Sequence, residues 1–257
     1  MRISITRATS ALAALFAAAT CLAAAPAQKA APDFAWPYYN GTADSQRYAP
    51  LRQIDRRNVR QLGPICETEV GEMGPFPSAL LVADGAIFVT TPRSTVAIDA
   101  TTCAVRWRHV VEIRNFDYGN SNRGPAYANG KVFRGTVDGN LVAIDARTGS
   151  ELWKTKAGDP AKAEMLTAAP VATQDRVFVG TSGGDWGGQS RVMAFDANDG
   201  RELWRFNVVP MDGEPGADTW KVAPGSRRYG GAVWGAMTLD AATGELLVAT
   251  GNPGPAL

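Results

Sequence analysis

The residue types available for chemistry exclude several kinds of active site. The 257-residue sequence has one histidine, His109, and three cysteines, Cys21, Cys66 and Cys103. These numbers exclude a zinc site with several histidines, a His-Glu-x-x-His helix and a zinc ribbon with four cysteines. A catalytic triad would have to use His109, which lies among strand-like residues, and a plain surface histidine is the favoured interpretation. The formal charge of +1 provides no basic surface, so no nucleic-acid partner is expected.

A repeated pattern organises the chain and must position whatever site it carries. Three segments that share an Asp-Ala turn followed by a tryptophan occur at residues 97–107, 143–153 and 194–204. Their tryptophans are 46 and 51 residues apart, and a weaker fourth copy at residues 238–247 lacks the tryptophan. An Asp-Gly, Asn-Gly or Gln-Asp pair followed by β-branched and aromatic residues precedes each full copy, which favours a hairpin and a strand.

The repeat predicts an all-β fold, specifically a β-propeller of which about four blades are present. The Asp-Ala-x-Thr-Gly stretch supplies a turn with glycine at the positive-φ position. We interpret a tryptophan at one fixed place per repeat as a plug between neighbouring sheets. A period of about 45 residues with four short strands is typical of propeller blades. Helical repeats are excluded because no segment after the first residues sustains a 3.6-residue apolar period.

The repeat count leads us to expect an N-terminal fragment of a longer protein. An eight-bladed ring at ~48 residues per blade would need about 380 residues. We divide the chain into a signal peptide at residues 1–27, an N-terminal segment at 28–65 and a partial propeller at 66–257.

The first residues have the pattern of a secretory signal. Arg2 and Arg7 precede an apolar run at residues 11–19, and Ala-Pro-Ala at 25–27 has the form of a cleavage site. The run is too short for a transmembrane helix, and no later segment is long enough. Cys21 raises a lipoprotein alternative. We expect export to the periplasm.

Export would leave two cysteines, Cys66 and Cys103, in an oxidising compartment. We predict a disulfide between them, and two separate buried thiols are the alternative. Closing this loop would stabilise the fold by about 3–4 kcal/mol in the chain-entropy model.

The repeats resemble the tryptophan-docking motif of the pyrroloquinoline quinone (PQQ)-dependent alcohol dehydrogenases, the quinoproteins related to methanol dehydrogenase. The resemblance begins at Trp36, includes residues 47–54 and covers nearly the whole remaining chain. It implies an eight-bladed propeller that binds PQQ and Ca²⁺ or a lanthanide. It also implies a small alcohol as substrate and a c-type cytochrome as electron acceptor.

The glycine-rich stretch at residues 181–187 matches a Ser-Gly-small-Glu stretch of the family. The match implies that Ser182, Gly183 and Gly184 bind the quinone and that Asp185, in place of the glutamate, binds the metal. Aspartate is also a hard oxygen ligand, although it is one methylene shorter. A loop that only connects two strands is the alternative.

The stretches at residues 230–235 and 249–253 carry the strongest resemblance. It implies that Trp234 forms a floor under the flat quinone and that the amide oxygen of Asn252 is a metal ligand. The alternatives are another packing tryptophan and a turn asparagine before proline.

Two further positions match the family. Arg123 lies in an Asn-Arg-Gly turn whose arginine pairs with a quinone carboxylate, and its planar fork suits that group. Thr167 matches a threonine that contacts the cofactor. A solvated arginine is the alternative for Arg123. The family's adjacent cysteines correspond here to Asp117 and Tyr118, which puts close kinship with methanol oxidation in doubt.

The resemblance thus implies a periplasmic quinoprotein dehydrogenase. The family's catalytic aspartate falls beyond Asn252, and we assign no catalytic residue within the sequence. A non-catalytic propeller scaffold, like the lipoproteins of outer-membrane assembly, is the alternative function.

Overall fold

The computed structural model describes residues 35–72, 76–113, 121–222 and 226–254. Regular structure in these ranges is almost entirely antiparallel β-sheet, which confirms the predicted all-β fold. Short 3-10 turns occur at Val59–Gln61, Pro160–Lys162, Gly184–Trp186 and Ala217–Thr219. No helix in the described residues has the length and apolar character needed to cross a membrane.

Three four-stranded sheets follow one another along the chain, and each corresponds to one full repeat. Blade 1 consists of β1 (Leu81–Ala83), β2 (Ala86–Thr90), β3 (Ser94–Asp99) and β4 (Val105–Val110). Blade 2 consists of β5 (Ala126–Ala128), β6 (Lys131–Gly135), β7 (Asn140–Asp145) and β8 (Glu151–Lys156). Blade 3 consists of β9 (Val171–Ala172), β10 (Arg176–Gly180), β11 (Arg191–Asp196) and β12 (Glu202–Asn207).

The fourth repeat forms two strand pairs instead of one four-stranded sheet. β13 (Tyr229–Gly230) pairs with β16 (Pro253–Gly254), and β14 (Thr238–Asp240) pairs with β15 (Glu245–Leu247). The β14–β15 pair contains the weaker Asp-Ala copy. This hairpin therefore forms although its repeat lacks the tryptophan.

The Asp-Ala turn joins the third and fourth strands of each blade. In blade 2, Asp145 Oδ1 accepts hydrogen bonds from the backbone N–H groups of Arg147 and Thr148 and from the Thr148 hydroxyl. The Thr148 hydroxyl is the main reason why the pKa of Asp145 lies below its usual range. Gly149 completes the turn with a φ of 77°, a conformation that favours glycine. Cys103 takes this place in blade 1, with a φ of 61°.

Each of the first two motif tryptophans binds the turn of the following blade. The Trp107 indole N–H donates to the carbonyl oxygen of Ala146 at 2.9 Å. A Cβ on Gly149 would lie 2.7 Å from the Trp107 ring, so the turn glycine lets the ring approach the backbone. The same arrangement recurs one blade later with Trp153, Ala197 and Gly200. The motif tryptophans of blades 1 and 2 therefore join each blade to the next one.

The hydrophobic core lies between successive blades. Between blades 1 and 2 it contains Leu81, Phe88, Val132, Val142 and Ile144. Between blades 2 and 3 it contains Phe133, Leu141, Val177, Met193 and Phe195. Between blade 3 and the fourth repeat it contains Val171, Phe178, Val192, Val233 and Leu239. Blades 2 and 3 are therefore packed against a neighbouring sheet on both faces.

Trp204 of blade 3 differs from the other two motif tryptophans. It is 41% exposed, and within the described part of the chain no atom lies within 4 Å of a Cβ built on Gly244. Gly244 is the turn glycine of the fourth repeat, with a φ of 76°. Trp204 therefore does not make the docking contact of Trp107.

The N-terminal segment ties separate blades together. Trp36 exchanges two backbone hydrogen bonds with Val82 of β1, at 2.7 and 3.0 Å. The Pro37 carbonyl accepts from the N–H of Tyr127 in β5, and the segment continues to residue 43 in contact with β14. The Cys66–Cys103 disulfide, with a Cα–Cα distance of 6.3 Å, attaches the segment before blade 1 to that blade's Asp-Ala turn.

Candidate functional site

The residues assigned to the cofactor line one cleft. It has a volume of about 210 Å³ and lies where the loop before β5, the loop before β9, the β10–β11 loop and the β13–β14 loop meet. The predicted residues in its lining are Arg123, Thr167, Ser182, Gly183, Gly184, Asp185 and Trp234. Asn252 is outside this lining. The fold thus brings together side chains that are more than a hundred positions apart.

A chain of hydrogen bonds connects the polar side chains of the cleft. Arg123 Nη1 donates to Thr167 Oγ1 at 3.2 Å. The Thr167 hydroxyl donates to Ser182 Oγ at 3.0 Å, and the Ser182 hydroxyl donates to the Met165 carbonyl at 3.2 Å. Thr167 and Ser182 are both buried. Because each hydroxyl has a fixed partner, the cleft wall is preorganised.

Backbone contacts hold Arg123 between blades. Its N–H donates to the Thr167 carbonyl at 3.0 Å, and its carbonyl accepts from Ala79 at 2.9 Å. Its guanidinium carbon lies 4.9 Å from the centroid of the Trp234 ring, a cation–π distance. Arg123 is therefore held by its neighbours, in contrast to a freely solvated arginine.

Trp234 is placed differently from the docking tryptophans. It is 50% exposed, and one face of its ring contacts the Arg123 guanidinium in the cleft. Trp107, by comparison, packs on the glycine of a turn in the next blade. Half of the Trp234 side chain therefore remains accessible to a ligand.

Close packing explains why positions 183 and 184 are glycines. A Cβ on Gly183 would overlap the carbonyl oxygen of Ala163, and Gly183 has a φ of 98°. A Cβ on Gly184 would lie 2.9 Å from the Cα of Gly230 and 3.2 Å from the side chain of Ala232. Gly183 therefore lets the β10–β11 loop pack against the segment before β9, and Gly184 lets it pack against the loop that carries Trp234.

Asp185 and Asn252 lie on backbone segments that pack together. The Asn252 carbonyl accepts from Gly231 N–H at 2.8 Å, which fixes residue 252 beside the loop that Gly184 contacts. Asp185 is exposed, and its carboxylate has no hydrogen-bond or ion-pair partner among the described residues. Asn252 Nδ2 donates to the Pro253 carbonyl at 3.1 Å, so Oδ1 remains an acceptor. Asp185 in the cleft lining and Asn252 outside it therefore each offer a hard oxygen group, on segments that pack against each other.

The cleft also contains residues to which the sequence analysis gave no role. They are Ser121, Met165, Trp186 and Ala232. Trp186 directly follows Asp185 and is 52% exposed, so its position inside the matched stretch at residues 181–187 was the available signal. Asp117 and Tyr118, which occupy the places of the family's adjacent cysteines, lie outside the described residues.

His109 lies outside the cleft, and the interpretation as a plain surface histidine was wrong. It is on β4, and its side chain is only 12% exposed because blade 2 covers it. Its Nε2 is 3.4 Å from Glu151 Oε2 on β8. Burial lowers its pKa, although Glu151 opposes this effect. His109 belongs to the contact between blades.

The motif spacing, the sheets and the cleft agree with a comparison against protein families. Residues 36–257 match the family described as PQQ: Glucose/ethanol/alcohol dehydrogenase, beta-propeller domain. The chain belongs to this family. The match covers every described sheet of this PQQ-family chain, which confirms the predicted β-propeller architecture and the predicted family.

Relatives of this PQQ-family chain are named dehydrogenases. Quinohemoprotein alcohol dehydrogenase ADH IIB of Pseudomonas putida is 34% identical over 86% of this chain and 34% of its own length. Lanthanide-dependent methanol dehydrogenase of Methylacidiphilum fumariolicum is 35% identical over 85% of this chain and 40% of its own length. The chain therefore spans between a third and two-fifths of these curated relatives.

Solved structures give the same result for the fold. The quinohemoprotein alcohol dehydrogenase from Comamonas testosteroni superposes with a TM-score of 0.77 at 29% identity, over 88% of this chain and 36% of that one. A europium-containing methanol dehydrogenase superposes with a TM-score of 0.76 at 32% identity, over 86% of this chain and 43% of that one.

Proposed function

We propose that this chain binds PQQ together with a metal ion, as the cofactor-binding part of a periplasmic dehydrogenase that oxidises an alcohol or a similar CH–OH substrate. The observation that carries the proposal is the convergence of Arg123, Thr167, Ser182 and Trp234 on one cleft beside Asp185. A propeller that served only as a scaffold would need the docking contacts but no such convergence.

The cleft fits a flat, polyanionic quinone. PQQ bears three carboxylates on a planar ring system, and Trp234 offers a rigid, half-exposed ring for stacking. Arg123 carries a guanidinium that can exchange its contact with that ring for a bidentate pair with a carboxylate. The Thr167 hydroxyl donates to Ser182 and the Ser182 hydroxyl to the Met165 carbonyl, so they form a fixed polar wall on the buried side of the cleft.

The free oxygens fit a hard cation. Calcium takes six to eight oxygen ligands, and Asp185 with Asn252 supplies fewer than that number. No group of three or more His, Cys, Asp or Glu side chains suited to a metal occurs in the described ranges. We therefore propose that the ion, calcium or a lanthanide, binds together with the quinone, whose own oxygens complete its ligand set.

The quinone and the ion would carry out the redox chemistry, and the protein would position them. A bound quinone would supply an acceptor for the hydride of the substrate's C–H bond, and a bound ion would supply Lewis-acid character. Trp234 would support the flat ring system by stacking, and Arg123 would orient it by pairing with one of its carboxylates. The buried pair Thr167 and Ser182 excludes water from the inner wall.

The location and the electron acceptor are part of the same proposal. Residues 1–27, which precede the described residues, have the pattern of a secretory signal. A c-type cytochrome would accept the electrons. Relatives named quinohemoproteins support this pairing of a quinone site with a haem.

A titration of the chain with PQQ in excess Ca²⁺ tests the proposal, with quenching of tryptophan fluorescence as the measurement. Arg123→Gln should weaken PQQ binding about tenfold or more, because it removes a charge-assisted bidentate pair. Arg176→Gln is the matched control, because Arg176 is an exposed cation on β10 outside the cleft. If the wild-type chain fails to bind PQQ, or if Arg123→Gln binds it as tightly as the wild type, the proposal is wrong.

A further inference from the structure

A second, larger pocket adjoins the cofactor cleft. Its volume is about 500 Å³, and Asp185 and Trp186 line both the pocket and the cleft. Its other walls come from residues 161–163 before β9, from Gly187, from Arg227 just before β13 and from Tyr229 at the start of β13. A ligand in this adjoining pocket would therefore lie beside the carboxylate that we assign to the metal ion.

Two cations determine the chemical character of the adjoining pocket. The Lys162 side chain is 64% exposed, and its ion-pair partner Asp159 is 3.8 Å away, near the limit for such a pair. Arg227 is exposed, and its Nη2 donates to the carbonyl oxygen of Gly187 in the pocket wall. Because a guanidinium has five N–H groups, this one bond leaves most of them for a ligand. Tyr229 is also part of the pocket lining.

The balance of charges in the pocket favours an anion. Among its lining residues, Lys162 and Arg227 outnumber the single carboxylate, Asp185. A metal ion on Asp185 would increase the positive excess. A carboxylate suits this lining because a guanidinium binds it through two parallel hydrogen bonds and an ammonium binds it as a point charge.

We propose that the adjoining pocket binds a carboxylate of the substrate, which would direct the enzyme towards short hydroxy acids. Lys162 and Arg227 hold the carboxylate, and the hydroxyl-bearing carbon then faces the Asp185 side of the cleft. The assignment of the carboxylate to a substrate rests on the proposed function. Trp186 lies in the shared wall, so its fluorescence reports a ligand on either side.

The test is a fluorescence titration of the full chain with lactate, and with 1,2-propanediol as the neutral analogue of the same carbon skeleton. We expect saturable binding of lactate that weakens in high salt, and no saturable binding of propanediol. Lys162→Gln and Arg227→Gln should each weaken lactate binding about tenfold. Lys154→Gln, at an exposed cation on β8, is the matched control and should change nothing.

A second variant separates charge from local structure. Arg227→Lys keeps the positive charge but loses the paired hydrogen bonds of the guanidinium, so its lactate affinity should lie between that of the wild type and that of Arg227→Gln. Equal lactate affinity in wild type and Lys162→Gln, or equal binding of lactate and propanediol, would overturn the proposal. PQQ titrated in parallel distinguishes the two proposals. Lactate binding without PQQ binding refutes the proposed function, and with it the assignment of the carboxylate to a substrate, but leaves the carboxylate site itself standing. PQQ binding without lactate binding refutes only the carboxylate site.

Discussion

Asp185→Ala should abolish the dependence of PQQ binding on Ca²⁺. The carboxylate of Asp185 has no partner among the described residues, so its loss removes a metal ligand and no contact that stabilises the fold. Changes to groups that merely support metal ligands cost about 10- to 100-fold in affinity, so removal of the ligand itself should cost at least about 100-fold. The measurement is the ratio of PQQ affinities in Ca²⁺ and in EDTA.

Two controls make this result specific to Asp185. Asp185→Glu restores the longer acid of the family's motif and should keep the Ca²⁺ dependence. Asp218→Ala removes an equally exposed acid from the turn Ala217–Thr219, away from the cleft, and should leave the ratio unchanged. The thermal unfolding of all three variants should match that of the wild type. A Ca²⁺ dependence that survives in Asp185→Ala would show that the ion binds elsewhere.

Trp107→Ala should destabilise the fold by about 3–5 kcal/mol, the usual cost of truncating a packed tryptophan. The change removes the hydrogen bond to the Ala146 carbonyl and the contact with Gly149, both in the next blade. It also removes the contact with Phe88, whose ring centroid is 5.9 Å from that of Trp107. Urea unfolding at equilibrium measures the loss, which should appear as a lower midpoint.

The sequence provides its own control for this experiment. Trp204 has the same place in the repeat but is 41% exposed and makes no contact with Gly244 within the described residues. Trp204→Ala should therefore cost about 1 kcal/mol or less, as at other exposed positions. Equal losses for Trp107→Ala and Trp204→Ala would mean that docking between blades is not what makes this position important.

The sheets could be predicted from sequence because their signals are local. The Asp-Ala-x-Thr-Gly turn needs only its own side chain and backbone, as Asp145 and Gly149 illustrate. The place of each tryptophan at the end of this turn was also readable. Its partner was not, since the Ala146 carbonyl lies 39 positions later in the chain.

Contacts between blades account for what the sequence did not reveal. His109 looked like a surface residue because nothing near it in sequence indicates that blade 2 covers it. Arg134 on β6 is fully buried, and its guanidinium donates to the carbonyls of Thr91 and Pro92 in blade 1. Burial lowers the pKa of Arg134 to about 10. An arginine inside a sheet stack requires long-range partners that a single sequence does not identify.

For the site, the sequence predicted which residues take part but not how they contact one another. Resemblance to the family located Arg123, Thr167 and Trp234, and the fold brings them to one cleft. The stacking of Arg123 on Trp234 was not foreseen, because it depends on how two loops from different blades approach each other. Nor was the adjoining pocket, whose cations Lys162 and Arg227 belong to no motif.

The central claim is that the cleft above Trp234 holds a quinone beside a metal ion on Asp185 and Asn252. A crystal structure of this chain grown with PQQ and Ca²⁺ tests it most directly. We expect quinone density stacked on the Trp234 ring in place of the Arg123 guanidinium, with the ion bound by Asp185 and by Asn252 Oδ1. Quinone density elsewhere on the chain, or an ion that touches neither residue, would show that this cleft is not the cofactor site.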